Sequence, residues 1–402
     1  MFIVIPCYNE PDILTTLNSL AGCDPPTATV SVLIVVNDAD DSSEEVVMQN
    51  RLTLNEIAEW KLLHPQLFYN LDSIYARALP SKWAGVGQAR KIGMDIAVKQ
   101  MVNSNIADGI IVAFDADSTA TANYLQAIER NFLNNPNCNF FTIHFEHPID
   151  CQALTPAIRE GIIRYELHMR YFRNAMAWCG YPHAIYTVGS SFAVKASAYA
   201  RQGGMNRRKA GEDFYFLHKL VLLGEYGNIC SATVFPAARE SDRVPFGTGA
   251  AIKKWIQGDS GLRFTYSLEA FSSLKPFFAM VHQFWQKEIG AMYVELENLH
   301  PSLQLFCKNM QTLNQIAELK KNCSNHKVFE KRFFHLVNAF WILKYLNFVH
   351  ESDFEWGDLQ AESIKLLYLF DIEIYSSMSL ENILMIYRKM DKGIKIVVNF
   401  AP

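Results

Sequence analysis

Short apolar runs alternate with amphipathic stretches through the first third of the chain. Phe2 to Ile5, Val30 to Val36 and Gly109 to Phe114 are continuous apolar runs of strand length. Each ends in a polar or turn cluster: Pro6-Cys7-Tyr8-Asn9-Glu10, Asn37-Asp38-Ala39-Asp40 and Asp115-Ala116-Asp117-Ser118. Unbroken apolar runs of this length suit strands covered on both faces, as in a parallel sheet. Between them, Asp12 to Leu20 and Gly87 to Val102 repeat apolar residues at helical spacing. Strand, helix, strand, repeated, predicts an α/β fold with a mostly parallel sheet built from right-handed crossovers. Ligands of such sheets bind beyond the carboxyl ends of the strands, where the polar clusters fall.

Further along, Asn139 to Phe145 reads as a strand after the turn at Asn134-Asn135-Pro136, Pro156 to Ala177 as a long helix, and Ile185 to Val194 as another strand. From about residue 270 the texture changes. Leu303 to Leu319, Lys327 to Phe348 and Leu380 to Met390 show helical apolar periodicity with few Gly or Pro. The expected organisation is an α/β domain over residues 1–250 and a mostly helical C-terminal region over 251–402. No internal repeat or low-complexity tract interrupts it.

Composition narrows the classes. Half of the 402 residues are hydrophobic and only 19% are charged, which is ample for a core and too little charge for a disordered chain. Lys plus Arg number 37 against 41 Asp plus Glu, a net charge of −4, so the basic footprint of a nucleic-acid binder is missing. The eight cysteines are scattered without a C-x-x-C pair and are expected as reduced thiols. The opening MFIVIPCYNE has no basic leader ahead of its apolar run, so no secretory signal is expected. No stretch reaches the roughly 18–20 apolar residues of a membrane span. The expectation is a soluble, cytoplasmic protein with at most peripheral membrane contact.

The most informative short motif is Asp115-Ala116-Asp117, directly after the third apolar run. Two carboxylates one residue apart at the end of a buried strand repel each other unless a cation sits nearby. A hard divalent ion, Mg²⁺ or Mn²⁺, prefers oxygen ligands and keeps water and substrate phosphates in its other positions. A solvated turn capping a helix at Ser118 or Thr119 is the competing reading.

The chain begins IPCYNEPD and continues with VVNDADD, GVGQARKIGMDIA, FDAD, GSSFAVKASAYARQGG and Gly211-Glu212-Asp213. This ordered set resembles the GT-A glycosyltransferases, specifically the large family 2, over roughly residues 1–240. The resemblance implies a GT-A nucleotide-diphospho-sugar transferase fold and a role for each matching position. Pro6, Tyr8 and Glu10 would line the nucleotide pocket, with Tyr8 able to stack on a base. Asp38 would accept a hydrogen bond from the base, and Gly87 and Arg90 would face the ribose and pyrophosphate. Asp115 and Asp117 would form the Mn²⁺ or Mg²⁺ motif, with Asp117 the more direct ligand. Asp213, preceded by Glu212, would be the general base that takes a proton from the acceptor hydroxyl in inverting members. The elementary chemistry agrees: hydroxyl attack needs a base, and departure of a nucleoside diphosphate needs positive charge. Backbone N–H groups at Gly85-Val86-Gly87 add anion-binding donors.

Elsewhere the match thins. Ala251-Ile252-Lys253-Lys254-Trp255 lacks the Gln and Arg of the Q-x-x-R-W signature of processive membrane synthases, so single-sugar transfer is expected. Arg239 and Arg243, four apart and followed by Gly247-Thr248-Gly249, suggest a flap over the pyrophosphate, since Arg suits bidentate phosphate contact. A solvated loop with an Arg–Asp pair competes with it. His282 is a candidate extra metal ligand, while His144 and His147 read as structural. The aromatic residues Phe277, Phe278, Phe284 and Trp285 read as core.

The expected donor is a nucleotide-diphospho-sugar, UDP-sugar favoured over GDP-sugar. The expected acceptor is a hydroxyl on a saccharide or lipid-linked glycan. Two alternatives stay open. One is a retaining transferase of the mannosylglycerate or glucosylphosphoglycerate synthase type, suggested by the R-x-S-x-R stretch. The other is a non-catalytic sugar-nucleotide binding protein.

Overall fold

The structure is a computed structural model that describes residues 1–106, 108–152, 154–241, 243, 247–375 and 377–396. Chain contacts divide it into two units. The first comprises 1–162, 187–258 and 391–394, and the second 163–186, 259–390 and 395–396, counted over the described residues. No shift in composition marks residues 163–186 as counting with the helical unit.

Eight strands build the sheet of the first unit: β1 (Phe2–Cys7), β2 (Val30–Ala39), β3 (Tyr69–Leu79), β4 (Ile110–Ala113), β5 (Thr119–Ala120), β6 (Phe140–Phe145), β7 (Phe192–Lys195) and β8 (Tyr226–Phe235). Their order is β3-β2-β1-β4-β7-β6-β8-β5. β1 pairs in parallel with β2 and β4, and β2 in parallel with β3. β7 runs antiparallel between β4 and β6, β8 is parallel to β6, and β5 antiparallel to β8. The α/β class expected from the apolar runs is the one observed, with antiparallel pairings that the runs did not disclose.

The helices follow from capping and apolar spacing. α1 (Ile13–Ala21) starts where the Asp12 carboxylate accepts from the Thr15 N–H at 3.2 Å, and it buries Ile13, Leu17 and Leu20 on one face. α2 (Glu44–Leu63) is capped by Ser43 and carries Glu44 and Glu45 in its first turn, where the helix dipole favours negative charge. α3 (Val86–Asn103) packs on β1 through Gly93, where an added Cβ would lie 2.4 Å from Val4 Cγ1. α4 (Tyr124–Asn134), α5 (Pro156–Trp178), α6 (Ala196–Arg201), α7 (Glu212–Val221) and α8 (Thr248–Ile256) complete the order before residue 258.

The second unit is mostly helical, as expected. Two of its predicted long helices are each two. Leu303 to Leu319 divides into Pro301–Asn309 and Thr312–Lys321, because Gln311 takes a left-handed φ of 51°. Lys327 to Phe348 divides into His326–Leu336 and Ala339–His350, because Asn338 caps the second by accepting from the Phe340 and Trp341 N–H groups. Phe277, Phe278 and Phe284 are buried there, and Phe277 stacks on Trp341 with centroids 5.6 Å apart. A fully buried Glu166 accepts from Arg170 at 2.7 and 2.8 Å and from Arg388 at 2.7 and 2.8 Å, fixing Leu380–Asp391 to the unit. Among the described residues no helix is long and apolar enough to cross a membrane, and the cysteines form no disulfide.

Candidate active site

The carboxyl ends of β1, β2 and β4 open onto a cleft of about 560 Å³ in the first unit, within the range of small-molecule sites. Pro6, Cys7 and Tyr8 line it from β1, Asn37 and Ala39 from β2, and Asp115, Ala116 and Asp117 from the end of β4. Ser42 and Ser43 add the start of α2, and Ala84, Gly85 and Val86 the start of α3. Asp41, Val46, Pro236, Ala237, Lys209, Arg239, Ser241, Arg243, Thr248 and Gly249 complete the wall. The sheet thus gathers three of the sequence clusters for the reason strand ends generally form sites: neighbouring parallel strands finish on one rim.

Two carboxylate–arginine clusters organise the floor. In the first, Arg90 is only 1% exposed. Its Nη2 donates to Asp115 Oδ1 at 2.5 Å and its Nη1 to Glu212 Oε1. The expectation that Arg90 faces the ribose and pyrophosphate therefore meets a different placement: the guanidinium is spent on Asp115 and Glu212, under the cleft. Its Nε has no hydrogen-bond partner. Burial raises the Asp115 carboxyl above the ordinary range, and the Arg90 charge opposes that rise.

Glu212 and Asp213 open α7. Burial raises the Glu212 carboxyl, offset by Arg90. Asp213 is pushed up to about 7, first by burial and then by the adjacent Glu212 charge, again offset by Arg90. Its Oδ1 accepts from the Phe214 N–H at 2.7 Å. Asp213 is not among the residues lining the cleft; it is joined to it through Glu212, Arg90 and Asp115.

In the second cluster Arg239 and Arg243 share the same two carboxylates. Arg239 Nη2 donates to Asp117 Oδ2 at 2.9 Å and to Glu10 Oε2. Arg243 donates to Asp117 Oδ2 at 3.0 Å and to Glu10 Oε2 at 2.6 Å. Glu10 is fully buried, and its Oε1 accepts from the Asp12 N–H at 3.0 Å. Glu10 therefore anchors the arginines beneath the wall. Asp242, the aspartate of the competing solvated-loop reading, lies outside the described residues, as do Val244, Pro245 and Phe246 of that stretch.

Ser241 is drawn against α8: its N–H donates to the Gly249 carbonyl at 3.2 Å, and a Cβ on Gly249 would lie 2.4 Å from Ser241 Cβ. The G-x-G spacing noted in the sequence thus serves close approach. Gly87 serves the same end, since a Cβ there would lie 2.4 Å from the Arg208 carbonyl oxygen. It lets the start of α3 lie against residues 206–208 and is itself buried.

Asp38 is 1% exposed and its carboxylate accepts from the Ala78 N–H at 2.5 Å and from the Tyr75 hydroxyl, while its neighbours Asn37 and Ala39 line the cleft. His144 Nε2 donates to the Glu146 carboxylate at 2.9 Å, and His147 lies 3.4 Å from the Thr248 hydroxyl. His282 belongs to the helical unit, where its ring meets that of His326 with centroids 4.7 Å apart. Among the described residues no group of three His, Cys, Asp or Glu side chains is placed to hold a metal by itself. Asp115 and Asp117 line the cleft, with Asp115 Oδ1 held by Arg90 and Asp117 Oδ2 by Arg239 and Arg243. Asp115 Oδ2 and Asp117 Oδ1 are the hard oxygen donors that would be offered to a divalent cation completing its shell with phosphate and water. Sequence reasoning missed Lys209, Ser42 and Ser43 as wall residues. Lys209 had one legible signal, its place in the run Arg207-Arg208-Lys209 just before Gly211-Glu212-Asp213.

No family model matches the sequence, and no curated protein does. Among solved structures, the chain is similar to S. aureus TarS 1–349 in complex with UDP-GlcNAc, at 14% identity and a TM-score of 0.40, covering 85% of this chain and 91% of that one. It is also similar to the mannosyltransferase PcManGT from Pyrobaculum calidifontis in complex with GDP-Man and Mn²⁺, at 14% identity and a TM-score of 0.36, covering 97% of this chain and 86% of that one. A likeness of that degree carries nothing about activity, which rests on this chain's own sheet and side chains.

Proposed function

We propose that the chain is a GT-A-type glycosyltransferase that moves one sugar from a nucleotide-diphosphate donor to a hydroxyl, using Mn²⁺ or Mg²⁺ and inverting the anomeric centre. The observation that carries this reading is the single buried guanidinium of Arg90 joining Asp115, at the rim of the cleft, to the Glu212-Asp213 helix start. A metal-motif carboxylate and a carboxylate pushed up to about 7 are thereby held in one construction. A base with that pKa is half ionised near neutral pH, where proton transfer is most effective.

In this mechanism Tyr8 and Ala39 border the nucleotide, and the N-terminus of α3 turns backbone N–H groups toward its diphosphate. Asp115 and Asp117 would hold the divalent cation, which when bound would neutralise charge gathering on the leaving diphosphate. Arg239 and Arg243 add positive charge beside Asp117. The acceptor oxygen forms a bond to the anomeric carbon as the bond from that carbon to the phosphate oxygen breaks. The bonding pair leaves with the nucleoside diphosphate, and the hydroxyl proton passes to Asp213.

The Arg239-Ser241-Arg243 cluster on Asp117 favours a second reading, a retaining transferase, in which Asp213 is no base. NMR of the product's anomeric configuration separates the two. The first test is a thermal-shift screen of UDP, GDP and their sugars with and without Mn²⁺. Stabilisation rises with the ratio of ligand concentration to Kd, so one nucleotide family is expected to stand out and to need Mn²⁺. Equal, negligible shifts from every nucleotide would contradict the reading.

A further inference from the structure

The cations of the floor are all spent. Arg90, Arg239 and Arg243 each donate to two carboxylates. Four others nearby in the chain's first unit are not. Among the described residues Lys82, Arg207, Arg208 and Lys209 form no ion pair, and all four are exposed. Aromatic rings hold three of them instead. The Arg207 guanidinium lies 5.1 Å and the Lys82 ammonium 5.5 Å from the ring centroid of Trp83, and the Arg208 guanidinium 3.7 Å from that of Tyr215. A cation–π contact orients a charge without neutralising it. Trp83 itself is 38% exposed. In a chain of net charge −4, four unneutralised cations, three of them oriented by rings, form a site built for an anion.

Position decides which anion. Lys209 lines the cleft beside Gly85, whose lack of a side chain lets the two backbones meet: an added Cβ would lie 2.8 Å from Lys209 Cα. Lys82, Trp83, Arg207 and Arg208 do not line the cleft, so the charge continues from its wall outward along the surface. A donor diphosphate needs only the inner end. Arginine forks match phosphate oxygens, and a row of cations matches several phosphates in succession.

We propose that the Lys82–Trp83–Arg207–Arg208–Lys209 rim is the acceptor-binding surface and that the acceptor is anionic, a saccharide chain bearing phosphate groups. The inference rests on the glycosyl-transfer reading above.

The test compares phosphorylated dextran with neutral dextran of the same length, each titrated into the full chain by calorimetry. The wild type binds the phosphorylated chain and not the neutral one, and the affinity falls as salt screens the exposed charges. Lys82→Ala/Arg207→Ala/Arg208→Ala weakens that binding about tenfold or more, and Trp83→Ala weakens it severalfold because the rings orient the cations. Lys99→Ala/Arg130→Ala, which removes two exposed cations elsewhere on the unit, changes it less than about twofold. Binding of the nucleotide sugar found in the thermal screen stays within about twofold in the triple variant, since only Lys209 of the four cations faces the cleft. Equal binding of the two dextrans, an unaffected triple variant, or an equal loss in the control pair would overturn the proposal. So would a triple variant that loses nucleotide-sugar affinity while keeping the phosphorylated chain, for the cations would then serve the donor. Failure of the underlying reading looks different: the wild type would hold the phosphorylated chain and no nucleotide sugar.

Discussion

Arg90 Nη2 lies 2.5 Å from Asp115 Oδ1, and the opposite arm of the same guanidinium donates to Glu212. One side chain, planted in the first turns of α3, therefore fixes both the end of β4 and the start of α7. Removing one member of such a buried set leaves the others charged and unpaired, which costs about 3–5 kcal/mol. Arg90→Met is expected to lower stability by that amount in urea denaturation. Arg90→Lys keeps the charge but satisfies fewer oxygens, and it is expected to recover only part of the loss. A change below about 1 kcal/mol for Arg90→Met would show that the guanidinium holds nothing together.

Much of this arrangement was legible in the sequence, for a physical reason. Parallel strands buried on both faces print as unbroken apolar runs, so β1, β2, β4 and β6 and their polar ends could be read directly. β3 and β8 could not. Their patterns, YNLDSIYARAL and YGNICSATVF, mix polar and apolar residues because β3 is an edge strand and β8 is only partly covered. The sequence also named Arg90, Glu10 and Asp38, yet not what they face. A charged residue's partner is set by elements distant along the chain, as with Arg239, 229 residues from Glu10. That is why Arg90 and Glu10, expected at the substrate, are found buried against carboxylate and guanidinium partners.

Stability should fall as pH rises toward neutrality. Asp213 is pushed up to about 7, so between the ordinary carboxylate range and 7 the folded chain keeps a proton that the unfolded chain has lost. Stability is then highest at the acid side of this window and declines as pH climbs through it. Asp213→Asn removes the titrating group and is expected to flatten the Tm profile between about pH 5 and 8. An unchanged slope in that variant would place the raised carboxyl elsewhere.

Gly249→Ala places a methyl 2.4 Å from Ser241 Cβ and 2.9 Å from the Ser241 nitrogen. The segment carrying Arg239 and Arg243 must shift to make room. Nucleotide-sugar affinity is expected to fall about tenfold while global stability changes by less than about 2 kcal/mol, because both residues lie at the cleft wall and outside the sheet. Affinity equal to the wild type would free the arginines of any part in donor binding.

Asp117→Asn tests the metal motif without relying on turnover. In the wild type, Mn²⁺ is expected to tighten nucleotide-diphosphate binding by about tenfold or more, as a carboxylate-held cation meets the phosphates. In Asp117→Asn that enhancement, the ratio of binding with and without Mn²⁺, is expected to vanish. An enhancement retained in full would remove Asp117 from the cation's ligands.

The most direct measurement of the central claim is the pH dependence of kcat/KM for sugar transfer from the donor identified in the thermal screen, wild type against Asp213→Asn. The account predicts an ascending limb with a midpoint near 7 in the wild type, and in the variant a fall of roughly 10²–10⁴-fold with that limb gone and donor Kd unchanged. A variant that transfers sugar at the wild-type rate, or that keeps the same limb, would contradict it.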